Sequence, residues 1–336
     1  VNLIPVVDVL AEKKGPTKEA HLILFEKCNL RCSFCHQDHD STVGLDAEEI
    51  MRKGIKLVEQ SDLEAPIVIN ITGGELFTDD IEDWMFGYYH ALGEYLLNNF
   101  KRVKLVYGTN LVYENVWRVE RMMIMLNNLC DKDKQEVVLA TSYDPAGRFN
   151  PAQRELFFKN LDRVGMWVDT VNVVITRQNI DVFLNDREGV EVKDLAYDYD
   201  LYFDHYIPSE RYEEHQPTES QIRQLYLKLA ERYPNSYPIK AWKEQRFNDT
   251  TCRSTKIINK DGVVTTCWSE AGKDAVLDEG QGLAAKHAAE ERFIEHYGCL
   301  SCEYYQRCGL RCFLHHSFIE GSSKECEIKL LFDEIL

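Results

Sequence analysis

The sequence predicts an α/β fold built on a parallel sheet, and three observations carry that prediction. Six short runs rich in Val, Ile and Leu alternate with longer segments of helical periodicity between residues 20 and 208. With 336 residues the chain is long enough to bury a large core, and its length suggests about two domains. After about residue 240 the texture changes to few periodic runs and most of the cysteines. Right-handed βαβ units gather the strand C-termini at one end of such a sheet, so the loops that follow the strands should meet there.

Taken in order, the strand-like runs are HLILFE (21–26), PIVINIT (66–72), RVKLVYG (102–108), EVVLATS (136–142), DTVNVVIT (169–176) and DLYFDHYI (200–207). Helical patterns fill the gaps at 46–60, 79–100, 114–130 and 151–164. The alternation ends at Tyr206-Ile-Pro-Ser209, and TESQIRQLYLKLAERY (218–233) reads as one more helix. These boundaries predict an N-terminal extension (1–19), a barrel-like domain (20–208), a linking helix (209–240) and a small cysteine-rich domain (241–336) whose core is partly replaced by metal clusters. No internal repeat or low-complexity segment is present.

Composition narrows the partners. Against 39 basic residues stand 56 acidic ones, and a net charge of −17 opposes affinity for nucleic acid or anionic membranes. No apolar run approaches the ~20 residues that span a bilayer, and VNLIPVVDVLAEKKGP lacks the pattern of a signal peptide, so a cytoplasmic protein is expected. An odd count of eleven cysteines in such a compartment favours metal or redox chemistry over disulfides.

Three of those cysteines, Cys28, Cys32 and Cys35, stand in CNLRCSFC just after the first strand. Three thiolates can hold three corners of a four-iron cluster and leave one iron free for another ligand. Zinc is the rival, because His36 and His39 are near enough to supply a fourth ligand. This loop, with Phe34 before the third cysteine and Gly73-Gly74-Glu75 after the second strand, closely resembles the radical S-adenosylmethionine (radical SAM) superfamily. The resemblance implies a partial (β/α)6 barrel. It also implies that S-adenosylmethionine ligates the free iron of a [4Fe-4S] cluster and is cleaved reductively to a 5′-deoxyadenosyl radical, with an electron from a reductant such as flavodoxin or ferredoxin.

The resemblance further assigns cofactor contacts. Gly73 and Gly74 would let the backbone approach the methionyl amine, with Glu75 as a nearby acceptor. Ser142 at the end of the fourth strand would meet the methionyl carboxylate, with Arg154 or Arg148 as the positive partner. Backbone beside Phe34 and His36 would hold the adenine edge. Asn110, in Gly108-Thr109-Asn110 after the third strand, and Thr176 with Asn179 after the fifth, are further candidates; their plainer readings are an ordinary turn and a helix cap. Cys130 ends a Met- and Leu-rich helix and reads as a small buried hydrophobe.

The second cysteine set is Cys252, Cys267, Cys299, Cys302, Cys308, Cys312 and Cys326, with Gly262 between the first two. It looks like the SPASM extension of radical SAM enzymes that modify peptides and proteins, which binds two auxiliary iron–sulfur clusters, here expected as [4Fe-4S]. By that resemblance Cys299, Cys302, Cys308 and Cys326 complete one cluster, and Cys252, Cys267 and Cys312 bind the other. The eighth ligand is missing, so the latter cluster has an open iron or a ligand such as Glu244 or Asp249. A zinc fold over 299–312 is the plainer alternative. In sulfatase-maturating relatives an acidic residue follows the second cysteine of this extension and acts as base; here that residue is Trp268, which argues against formylglycine formation.

Three functions compete. The first is modification of a residue in a ribosomally made peptide by cross-linking, epimerisation or oxidation; the second is oxidation or epimerisation of a small metabolite such as an aminosugar; the third is electron carriage without catalysis. Too few residues precede the first strand for a winged-helix leader-binding domain, so a peptide substrate is expected to be held by the barrel or delivered by a separate leader-binding protein. Tyr107, Asp144, Arg177, Asp204, His205 and Tyr206 are strand-end candidates to orient it.

Overall fold

The computed structural model of the chain describes residues 19–35, 37–145, 148–206, 213–244, 255–265, 284, 288, 291–305 and 325–336, with His205 at the level of its backbone. His36, Cys252, Cys267, Cys308, Cys312, Asp249 and Trp268 lie outside the described residues, as do residues 1–18.

Alternation of strand and helix runs through the first two thirds of the chain. Its elements are β1 (Glu19–Ile23), α1 (Ala47–Glu59), β2 (Ile67–Thr72), α2 (Asp83–Asn99), β3 (Val103–Thr109), α3 (Val116–Leu129), β4 (Gln135–Tyr143), α4 (Pro151–Val164), β5 (Val168–Ile175), α5 (Ile180–Leu184), α6 (Gly189–Asp198) and β6 (Asp200–His205). Each of the six strands lies beside its sequence neighbour and parallel to it. Helix starts are fixed locally: Asp46 accepts from the Glu49 N–H at 3.0 Å, and Asn150 forms a reciprocal cap with Gln153 ahead of Pro151.

Strand side chains alternate between two environments. Ile67, Ile69 and Ile71 of β2 are buried against the helix layer, whereas Val68, Asn70 and Thr72 are half-buried and face the other way. Register carries this pattern across the sheet, so Asn70, Val106, Ala140 and Asn172 share a concave face. The resulting lumen is polar. At its N-terminal end the Glu19 carboxylate accepts from Asn70 Nδ2 (2.9 Å) and lies 3.3 Å from His21, while Lys104 pairs with Asp169 (2.8 Å).

Beyond β6 come α7 (Glu219–Arg232), α8 (Ile239–Lys243), β7 (Thr255–Ile258), β8 (Val264–Thr265) and α9 (Glu327–Ile335). The sequence reading contained neither β7 nor β8. β7 pairs parallel to β1 and β8 antiparallel to β7, giving the order β6-β5-β4-β3-β2-β1-β7-β8. The C-terminal region thus extends the barrel sheet directly. At the opposite edge, Tyr237 N–H donates to the Leu201 carbonyl (2.8 Å) and Phe203 N–H to the Tyr237 carbonyl (3.0 Å), so the outer strand is partly covered. Helix α9 closes over α7 through Arg223, which pairs with Glu327 and Glu334, and over α8 through Phe332 against Trp242. Among the described residues, no helix is long and apolar enough to cross a membrane.

Candidate active site at the strand ends

The cysteine loop is assembled from backbone contacts that glycine makes possible. Gly74 N–H donates to the Phe25 carbonyl (3.0 Å) and Glu75 N–H to the Lys27 carbonyl (2.9 Å), so the end of β2 grips the chain entering the loop. A Cβ on Gly74 would stand 2.1 Å from the carbonyl oxygens of both Glu26 and Lys27, which only glycine avoids. The close approach here is between two loops of the protein. The Gly73 carbonyl belongs to the same joint, accepting from Gln37 Nε2 at 3.3 Å.

Glu75 is buried, and its carboxylate accepts from Phe77 N–H (3.1 Å), Thr109 Oγ1 (2.9 Å) and Asn110 N–H. Burial pushes its pKa up to about 7, against the pull of those three donors. Asn110 then passes the connection on. Its Nδ2 donates to Asn29 Oδ1 (2.8 Å) and lies 3.8 Å from Cys28 Sγ. The ends of β2 and β3 therefore position the first cysteine through one carboxylate and one amide.

Within the loop, Cys35 N–H donates to the Cys32 carbonyl (3.1 Å), and Cys28 Sγ receives the Leu30 N–H (3.4 Å). All three thiols are free, half-buried and electrostatically coupled. Burial raises each of them, Cys28 and Cys35 to about 11, while the Arg148 guanidinium opposes the rise at Cys32 and Cys35. Soft thiols of this kind, held uncharged until a cation draws off the proton, suit an iron–sulfur cluster. Among the described residues no three His, Cys, Asp or Glu side chains converge as on a single metal ion, a convergence that a cluster with each thiolate on its own iron does not need.

Beside the loop lies a cavity of about 330 Å3, lined by Gly73, Gly74, Thr109, Asn110, Ser142 and Arg148 together with the lumen residues of the central strands. Arg148 Nη1 donates to Ser142 Oγ, and its Nε is buried without a partner. Of the two arginines considered from the sequence, Arg148 is the one at Ser142. Arg154 is a correction: it sits one helical turn into α4 and pairs with Glu191 of α6, outside the lumen.

Other candidates are occupied by structure. Thr176 does not line this cavity; it is buried, its N–H donates to Asn179 Oδ1 (2.8 Å), and its carbonyl accepts from Ile180 N–H (2.9 Å), which makes the pair a helix start. Phe34 meets the Tyr206 ring edge-on, and its carbonyl accepts from Tyr206 Oη at 2.8 Å, so the last strand straps the first loop. Tyr107 points into the helix layer, donating to the Tyr89 carbonyl (3.0 Å), and Arg177 Nε donates to the Gln216 carbonyl (2.8 Å). Asp144 is buried near Cys32. Asp204, paired in register with Val174 of β5, lies on the lumen side of β6 and is exposed.

In the C-terminal set, Cys299 and Cys302 bracket a short helical turn after Gly298, whose φ is +61°, and Cys302 N–H donates to the Cys299 carbonyl (2.9 Å). Cys326 stands immediately before α9. Tyr304 ties the two segments together, donating to Asp333 (3.1 Å) and packing on Phe332. Three of the four cysteines expected to share one cluster thus lie on segments that pack against each other.

A six-stranded parallel half-barrel with a cysteine loop after its first strand is the radical SAM fold, the class expected from the sequence. Solved structures agree with it. The chain superposes on native anSMEcpe with bound AdoMet at a TM-score of 0.62 and 14% identity, covering 94% of this chain and 96% of that one. A histidine-tagged form with AdoMet gives 0.62 at 12% identity over 95% and 96%, and the native form with AdoMet and the Cp18Cys peptide gives 0.58 at 12% over 94% and 96%. No protein-family model and no curated protein matches the sequence.

Proposed function

We propose that this chain is a radical SAM enzyme acting on a residue of a ribosomally made peptide. The observation that carries the reading is the joint of CNLRCSFC with the strand ends: three free thiols on one loop, fixed by Gly74, Asn110 and Tyr206 beside a polar lumen. Cys28, Cys32 and Cys35 would hold a four-iron cluster, which with S-adenosylmethionine bound would supply carbon-radical chemistry for removing a substrate hydrogen.

The residues of this chain do the positioning. Arg148, with a buried unpaired Nε and a hydroxyl partner, offers a charged donor pair to a carboxylate in the lumen. Gly73 and Gly74 line the cavity and let the end of β2 close on the cysteine loop, and Asn110 holds Cys28 in place. Asp204 presents an acceptor on the lumen wall to the substrate.

A peptide is favoured as substrate because the solved relatives of this fold include one with a bound peptide, and because the second cysteine set resembles the extension of peptide maturases. Trp268 after Cys267 supports a reaction other than formylglycine formation. Cys299, Cys302, Cys308 and Cys326 would hold one auxiliary cluster, and Cys252, Cys267 and Cys312 the other. A reductant such as flavodoxin or ferredoxin would supply the electron. The test is anaerobic incubation of the iron-loaded protein with S-adenosylmethionine and a reductant. Release of 5′-deoxyadenosine is expected, and its absence from fully loaded protein would reject the enzyme reading.

A further inference from the structure

A second and larger cavity, of about 610 Å3, lies outside the lumen between α4 and α6. Its floor is apolar and aromatic, made by Phe158, Leu161, Leu195 and Tyr199. Gly165 makes room for this floor, since a Cβ there would stand 2.3 Å from the Tyr199 hydroxyl. The rim is acidic. Glu155 and Asp162 on α4 and Asp194 and Asp198 on α6 are all exposed, and the basic residue in the lining, Arg154, is spent on Glu191. Arg163 of α4 turns away to Glu120.

The adjoining stripe of α6 continues the apolar surface. Val190 and Tyr197, seven residues apart and so on one helical face, are 61% and 90% exposed, and Met166 after α4 is 82% exposed. Large apolar side chains beside an apolar groove mark a contact surface rather than scattered surface residues. The groove also leads to the site. It begins at Phe149, the neighbour of Arg148, and Phe149, Phe157 and Phe158 all pack on Tyr143 at the end of β4.

We propose that this groove docks a basic amphipathic segment of the peptide substrate, its apolar face on the floor and its Lys or Arg residues against the four rim carboxylates; this rests on the peptide reading above. A segment seated there would hand its following residues to the mouth of the lumen past Phe149. Charge decides the occupant, because an acidic or neutral helix would leave the rim carboxylates repelled or unpaired.

The probe is a fluorescein-labelled helix composed of Leu and Lys, titrated with the full-length protein and followed by anisotropy. Saturable one-to-one binding is expected in physiological salt. Asp194→Lys with Asp198→Lys should weaken it roughly tenfold or more, and Tyr197→Ser roughly threefold. Glu59→Lys with Asp133→Lys, an equal charge change at exposed positions elsewhere, should leave it unaltered. Absent saturation, or equal weakening by the distant pair, would overturn the proposal by showing attraction to net charge alone. A wild-type dimer that the Asp194/Asp198 variant splits would overturn it too, since a second copy would then cover the groove. Release of 5′-deoxyadenosine from the same preparation scores the enzyme reading separately from the groove.

Discussion

Arg148 and Arg154 illustrate how much one residue's placement decides. Both follow β4 and both carry the right charge, so sequence spacing could not separate them. The structure does, because α4 begins at Pro151 and carries Arg154 onto the helix exterior, whereas Arg148 stays on the loop within reach of Ser142. Arg148→Ala should weaken S-adenosylmethionine binding roughly tenfold or more, the loss of a charge-assisted donor pair, while Arg154→Ala should change it less than about twofold. Equilibrium titration of the iron-loaded proteins measures both. Glu75 yields a pH prediction. Its carboxyl is lifted from 4.5 to about 7, so the folded chain keeps a proton there that the unfolded chain releases. That contribution is complete below pH 4.5 and is lost as pH rises to about 7, up to about 3 kcal/mol for one buried group. Glu75→Gln, which cannot titrate, should lose less stability than wild type between pH 5 and pH 8 in urea unfolding. Parallel losses in the two proteins would assign the dependence elsewhere. Thr109 was readable only as part of a turn, since nothing local announces that its hydroxyl donates to a carboxylate 34 residues earlier.

At the scale of elements, the six long strands were legible because each carries a run of β-branched and apolar residues, and the helices between them because their periodicity is strong. The β7–β8 hairpin was not. Its strands have four and two residues, too few to show a period, and they find their place only by adding to the edge of β1. Tyr107 was misplaced for a simpler reason: it alternates with Val106 and Gly108, which face the lumen, and so must face the helices. The joints between elements are where substitutions should tell most. Gly74→Ala would force a methyl against two backbone carbonyls, so the variant should retain less than about half of the bound iron or lose several kcal/mol of stability. Iron analysis beside thermal unfolding distinguishes these, and a variant normal in both would mean the joint can open freely. Tyr206→Phe keeps the edge-on ring contact with Phe34 but deletes the hydroxyl donor, a loss of about 1 kcal/mol.

Across the whole molecule, β7 joins β1 directly and α9, which Cys326 precedes, packs on α7, so the described C-terminal segments are built onto the six-stranded unit. On the proposed function, an auxiliary cluster on the second cysteine set would accept the electron left after hydrogen abstraction. Cys302→Ala should therefore spare cleavage of S-adenosylmethionine and stop formation of modified peptide, whereas Cys32→Ala should abolish both; mass spectrometry of peptide and nucleoside products reads the two outcomes together. Full peptide turnover by the Cys302 variant would remove the auxiliary centre from the reaction. The central claim is that CNLRCSFC holds a cluster with one iron left open. Its most direct test is a crystal structure from protein grown without air, with iron anomalous scattering and S-adenosylmethionine present. Four irons on Cys28, Cys32 and Cys35, with the cofactor on the fourth iron and its carboxylate at Arg148, is the predicted result. A single zinc ion on those thiols would contradict the account.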